Sequence, residues 1–183
     1  MDHPEQPDWL LFLDSDMEFP PTIAQRLTRW GKPMVGALYF QRGDWFPMAF
    51  TRGKVLPDKY GQYSQTWDFM EQRVFDYLES HNVPMEDKAF TVQGDDDASL
   101  LPCDAVASGA MLIHRSVLEA ITPPWFQITD GTQTDDFQFC KRVQDDLGLP
   151  IYCDLSTICG HYTMLAAGQK QFRERMIAER IKT

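Results

Sequence analysis

The chain has 183 residues, 43% of them apolar, enough to build the core of one compact domain spanning 1–183. Its formal charge of −10 excludes a general nucleic-acid binder, because neutralising phosphates needs a basic face, and points to partners that are neutral or bridged by a cation. Four cysteines without a CxxC pair, no apolar run long enough to span a membrane and no charged-then-apolar leader predict a cytoplasmic protein with free thiols and no zinc module.

In chain order, Trp9–Leu13 is a continuous apolar run ending in acidic residues, the pattern of a buried strand that delivers Asp14 and Asp16 to its carboxyl end. Pro20 and Pro21 suit a helix start, Ile23, Leu27 and Trp30 keep helical spacing, and Gly31 suits the stop. A second strand over 33–40 completes the first half of a β-α-β unit. Residues 41–65 have no sustained period and are expected to be irregular, with short strands around 46–50. Trp67, Met70, Val74, Tyr77 and Leu78 form a helical stripe that ends before Asn82-Val83-Pro84. Asp95, Asp96 and Asp97 are expected in a solvated turn.

Residues 103–113 predict a strand pair or bent strand around Ser108-Gly109-Ala110, followed by a short helix over 117–121 that Pro123-Pro124 closes. Thr134 is the expected N-cap of a helix carrying Phe137, Cys140, Val143 and Leu147 inward, and Gly148 its C-terminal cap. Two short strands are expected at 151–153 and 157–159, then a last helix from about Leu165 with Phe172, Met176 and Ile177 on one side.

Three features carry chemistry. Asp14-Ser15-Asp16 at a strand end offers two carboxylates to one hard cation, which can in turn hold phosphate oxygens; the rival explanation is a capped strand end. Asp135 and Asp136 occupy the first turn of an amphipathic helix, where the dipole keeps carboxylates ionised, as a general base requires, and where they also serve structure alone. The third is Gly160-His161 after a short strand; a lone histidine is by itself weak evidence for a ligand.

In this order the three, together with Gly109-Ala110-Met111-Leu112-Ile113-His114-Arg115 and the run Asp135 through Arg142, resemble glycosyltransferase family 2, including short phage-like members. The resemblance covers nearly the whole chain. It implies an α/β fold with a mixed sheet flanked by helices, a partial A-type glycosyltransferase fold of Rossmann-like character. It also implies transfer of a sugar from a nucleotide-sugar donor, a UDP-sugar in the family's commonest form, to a hydroxyl of a glycan or other acceptor, with inversion.

Asp16, supported by Asp14, then stands as the ligand of Mn²⁺ or Mg²⁺ on the donor diphosphate, with His161 the further metal ligand and Asp136 the base on the acceptor hydroxyl. Ser108, Gly109 and Ala110 line the sugar and acceptor cleft, Asp135 stands on the substrate side beside the base or serves the cap, and Trp125 and Phe126 are candidates for stacking on a sugar face. Only eight residues precede Trp9, where the family carries its nucleotide-holding half; the chain is accordingly expected to need that half from elsewhere, or to form a homodimer through an exposed sheet edge. Two alternatives belong to other classes: a magnesium-dependent phosphohydrolase of the haloacid dehalogenase type with Asp14 as nucleophile, and an inactive glycan- or partner-binding domain.

Overall fold

In the computed structural model, which describes residues 7–57, 61, 63–84, 90–92, 97–128, 133–162 and 169–180, the apolar run Trp9–Leu13 forms strand β1, and a turn at Ser15 and Asp16 leads into the short β2 (Met17–Glu18). The N–H of Ile23 bonds to Pro20 to start helix α1 (Ile23–Thr28), which buries Ile23 and Leu27, four residues apart and so on one face. Strand β3 (Met34–Leu38) is buried at every position. Strands β4 (Ala49–Pro57) and β5 (Tyr63–Phe69) pair as an antiparallel hairpin ahead of helix α2 (Glu71–Ser80).

Next come β6 (Phe90–Thr91), a 3-10 turn (Asp97–Ser99), β7 (Leu100–Cys103), β8 (Ala105–Val106), β9 (Ala110–His114) and helix α3 (Arg115–Ala120). Helix α4 (Asp135–Leu147), strands β10 (Ile151–Ile158) and β11 (Gly160–His161), and helix α5 (Gln169–Arg180) follow.

The main sheet runs β1-β9-β3-β10-β6, with β7 also on β10. Strand β9 is antiparallel to β1 and to β3, while β3 and β10 are parallel, so the fold is α/β with a mixed sheet flanked by helices. Strands β1, β3 and β10 therefore point the same way, and their carboxyl ends share one edge of the sheet with the amino end of β9. Strand β3 is apolar and buried at every position, the pattern of a strand covered on both faces. No helix among the described residues is long and apolar enough to cross a membrane, and all four cysteines are buried and free.

Several expected elements differ. The stretch 41–65 is largely the β4–β5 hairpin, and Trp67 belongs to β5 rather than to the helix, which begins at Glu71. Its spacing from Met70 and Val74 mimics a helical stripe, but Trp67 stacks on Phe137 of α4, with ring centroids 5.1 Å apart. The two short strands expected at 151–153 and 157–159 are one strand with an irregularity between Asp154 and Ile158. There the buried Asp154 accepts bonds from the Ser156 N–H (3.0 Å), the Ser156 hydroxyl (2.6 Å) and the Thr157 hydroxyl (2.7 Å). Arg26 of α1 clamps Thr157 at 2.9 Å, so a polar stretch that reads as a gap is satisfied within the sheet. In α5, Phe172 and Met176 are buried, whereas Ile177 is exposed. Residues 165–168, expected to open that helix, lie outside the described residues, as do Asp95 and Asp96; Asp97 opens the 3-10 turn.

Candidate functional site

Tyr39 is the pillar of the common edge. It follows β3 directly, is buried, and its hydroxyl accepts the N–H of Gly109 at 3.1 Å. A Cβ on Gly109 would lie 2.7 Å from that hydroxyl and 2.7 Å from the Met17 sulfur, so this glycine makes room for Tyr39 and Met17. Burial, with the nearby charges of Asp136 and Asp14 acting the same way, holds the Tyr39 phenol well above its usual range and therefore protonated. Tyr39 thus lies near both acidic features.

On one side of it, β2 and β11 pair antiparallel, with His161 opposite Met17, and the N–H of Tyr162 bonds to the carbonyl of Asp16 at 2.8 Å. This short ladder holds His161 beside Asp16, whose Oδ2 lies 3.8 Å from His161 Nε2. His161 Nδ1 is 3.0 Å from the Phe40 carbonyl, which can only accept, so Nδ1 carries the proton. Nε2 therefore presents its lone pair. It accepts from Arg42 Nε at 2.9 Å, and the same guanidinium is paired with Asp16. A histidine with its far nitrogen fixed on a carbonyl and its near one facing a carboxylate is oriented as metal-ligating histidines are. The 3.8 Å gap lies within twice the roughly 2.1 Å bond of a small divalent ion to its donors, so one ion can touch both.

Asp14 does not complete the expected three-residue set. Its N–H bonds to the Gly109 carbonyl at 3.0 Å and its side chain is exposed. Among the described residues no three His, Cys, Asp or Glu side chains come together as a metal-holding group. A cation here would rest on Asp16 and His161, with its other positions open to phosphate oxygens and water, as is common for magnesium.

On the other side, Asp136 in the first turn of α4 is only 8% exposed. Its Oδ2 accepts from the Ser108 N–H at 3.1 Å and its Oδ1 from the Phe137 N–H at 2.9 Å and from the Thr134 hydroxyl. Thr134 holds the N-cap position, but its hydroxyl donates to that carboxylate instead of accepting from a backbone N–H. Asp135 is exposed and accepts the Asp136 N–H at 3.1 Å, a contact within the first turn of α4. Gly148 ends α4 in the left-handed conformation, φ 64°, as expected.

The small-residue segment is used for packing. Ala110 is fully buried in β9, and Gly109 is filled against by Tyr39, which leaves the partly exposed Ser108 as the member able to meet a ligand. Trp125 is partly exposed, but its indole N–H is tied to the Leu118 and Ile121 carbonyls at 2.9 and 3.1 Å, and Phe126 packs between Phe12 and Phe139. Neither residue is in contact with Asp136 or Asp16 through any of these bonds. Tyr39 and Arg42, which the sequence reading passed over, follow the carboxyl end of β3, and the rule that sites form at strand ends is the signal that points to them.

No protein-family model matches the chain, and no curated protein matches it. Among solved structures it is similar to the one titled "Crystal Structure of A197 from STIV", with 16% identity over 85% of this chain and a TM-score of 0.43; the match spans 58% of that protein's length.

Proposed function

We propose that the chain is the metal-binding and acceptor-side part of a glycosyltransferase that moves a sugar from a nucleotide-sugar donor to an acceptor hydroxyl with inversion. The observation that carries the reading is the meeting of Asp16 with the correctly oriented lone pair of His161 at the sheet edge where Asp136 also sits. A bound Mn²⁺ or Mg²⁺ would supply charge neutralisation for the departing diphosphate. Asp136 takes the proton of the attacking hydroxyl. Its carboxylate is held in place by the Ser108 and Phe137 N–H groups, and the amino end of α4 favours the anion. Tyr39, protonated and buried, holds Gly109, whose carbonyl accepts the Asp14 N–H and whose neighbour Ser108 donates to Asp136. The phosphohydrolase alternative gives no role to His161. The exposed Leu10 and Leu13 on the outer strand β1 support a partner at that edge, the nucleotide-holding part of the enzyme.

Electron paramagnetic titration of Mn²⁺ with UDP present tests this reading. Uptake that Asp16→Asn and His161→Ala abolish, and that Asp136→Asn leaves intact, is the expected result. With a UDP-sugar and an acceptor, Asp136→Asn should lower turnover by about 10²- to 10⁴-fold. Mn²⁺ uptake that is absent, or that Asp16→Asn and His161→Ala leave unchanged, would sink the reading.

A further inference from the structure

Strand β10 carries an insertion that decides which residue reaches the candidate metal site. It runs in parallel register with β3 through Asp154↔Ala37 and resumes at Ile158↔Leu38, so β3 advances by one residue while β10 advances by four. Leu155, Ser156 and Thr157 are therefore extra, and all three are buried. Beyond them the chain is pinned again. The Cys159 N–H bonds to the Leu38 carbonyl at 2.8 Å, Gly160 and His161 pair with Glu18 and Met17, and His161 Nδ1 meets the Phe40 carbonyl at 3.0 Å.

His161 lies three residues past Ile158, the partner of Leu38. In an unbroken register that partner would be Leu155, and the residue three past it is Ile158, whose side chain has no donor for a cation. His161 would then lie three residues farther along, roughly 10 Å at the rise of a strand. Bulges beside active sites re-aim side chains in this way.

A single carboxylate closes the insertion. Asp154, fully buried, accepts the Ser156 N–H and hydroxyl on Oδ1 at 3.0 and 2.6 Å, and the Thr157 hydroxyl on Oδ2 at 2.7 Å. A bond from an aspartate side chain to the N–H two residues on is an Asx turn, which an extended strand cannot make. Two arginines brace the same residues from the end of α1. Arg26 donates to the Thr157 and Ser156 hydroxyls, each at 2.9 Å, and Arg29 donates to the Ser156 hydroxyl at 2.8 Å with its guanidinium 3.6 Å from Asp154 Oδ2. Buried donors left without their acceptor are costly, so the turn depends on the Asp154 carboxylate.

We propose that Asp154 is a positioning residue for the candidate metal site: its turn takes up the three extra residues and so places His161, rather than Ile158, beside Asp16. The consequence for metal binding rests on the cation site proposed above; the placement of His161 does not.

Imidazole ¹⁵N NMR of the whole chain without metal reads that placement, with the His161 signals assigned by their loss in His161→Gln. In the native chain the Phe40 carbonyl holds the proton on Nδ1, whereas a ring released from it exchanges between tautomers. Asp154→Asn keeps the side-chain volume but puts an amide NH₂ where Oδ2 accepts from Thr157 and faces Arg29. It should abolish the Nδ1–H signature and weaken Mn²⁺ uptake by about 10- to 100-fold, as lost support of a metal ligand does. Asp104→Asn, which removes a carboxylate joining the β4–β5 hairpin to α4, controls for general loosening and should change neither. An unchanged His161 signature in folded Asp154→Asn would overturn the proposal, and so would an equal change in Asp104→Asn. If Asp154→Asn does not fold, Ser156→Ala, which removes one of the three bonds, is read in the same way. A wild-type chain that takes up no Mn²⁺ while the signature still follows Asp154 keeps the positioning role and rejects the metal site. Uptake that needs Asp16 and His161 but is indifferent to Asp154 keeps the metal site and rejects the role.

Discussion

Arg42 sits where a divalent cation would sit. Its guanidinium is paired with Asp16 and donates to His161 Nε2 at 2.9 Å, so the two donors proposed for the metal already share a positive charge. A cation must displace it. Asp16 is 40% and Arg42 49% exposed, and pairs in such solvent contact are worth only about 0.2–1 kcal/mol. Arg42→Ala should therefore tighten Mn²⁺ binding, by no more than about fivefold, as read by paramagnetic titration without nucleotide. Weaker binding in the variant would mean that Arg42 supports the ion rather than competing with it. The acidic and histidine members of this site are readable in sequence because the chemistry restricts the residue types. Arg42 and Tyr39 are not, since an arginine in an irregular stretch and a tyrosine at a strand end fit many unrelated roles. Gly109 illustrates the converse: its small size is readable, but which neighbour uses the space depends on Tyr39 arriving from a strand 70 positions away.

At the level of elements, α4 is positioned at both ends by polar contacts. Its first turn is fixed through Asp136 to Ser108. Its last turn is fixed through Gln144, whose amide donates to Asp104 at 3.0 Å and accepts from Arg52 at 2.7 Å. Asp104 also accepts from the Thr51 hydroxyl (2.9 Å) and the Arg52 N–H (2.8 Å), joining the hairpin to the helix. Burial works against the Asp104 charge, but these donors and the Arg52 guanidinium outweigh it and hold the carboxyl below its ordinary range.

A folded-state pKa below the unfolded one stabilises the fold above the unfolded value, and that stability is lost as pH falls through the folded value. Asp104→Asn should thus cost about 1–2 kcal/mol in urea denaturation at neutral pH, with the difference from wild type narrowing below about pH 4. A constant difference across that range would remove Asp104 from the acid response. The amphipathic pattern of α4 is plain in the sequence, as are its ends at Thr134 and Gly148. The hairpin is not, because its register shifts between Arg52 and Val55 and breaks the two-residue alternation by which a strand is read.

For the molecule as a whole, the helices and most strands follow from local pattern, whereas strand order does not. Nothing in Ala110–His114 says that it lies between β1 and β3 and runs against both; only the packed sheet decides that. The two sheet ends are also unlike. The far side is finished by β7 and the two-residue β6, which share β10, but β1 presents five apolar residues at its edge.

The interior offers a direct readout of how cooperatively this arrangement holds. Cys103 on β7, Cys140 on α4, Cys153 on β10 and Cys159 just after it are all buried. Burial pushes each thiol up, Cys140 to about 12, so the native chain holds almost no thiolate at neutral pH. Reaction with an aromatic disulfide reagent must then wait for unfolding. All four thiols should react together in the native protein, at least about 10³-fold slower than in denaturant, the inverse of a stable domain's unfolded fraction. Because β7, β10 and α4 each contribute at least one thiol, one cysteine reacting at the free-thiol rate would locate a local opening and show that the sheet and α4 do not unfold as a single unit.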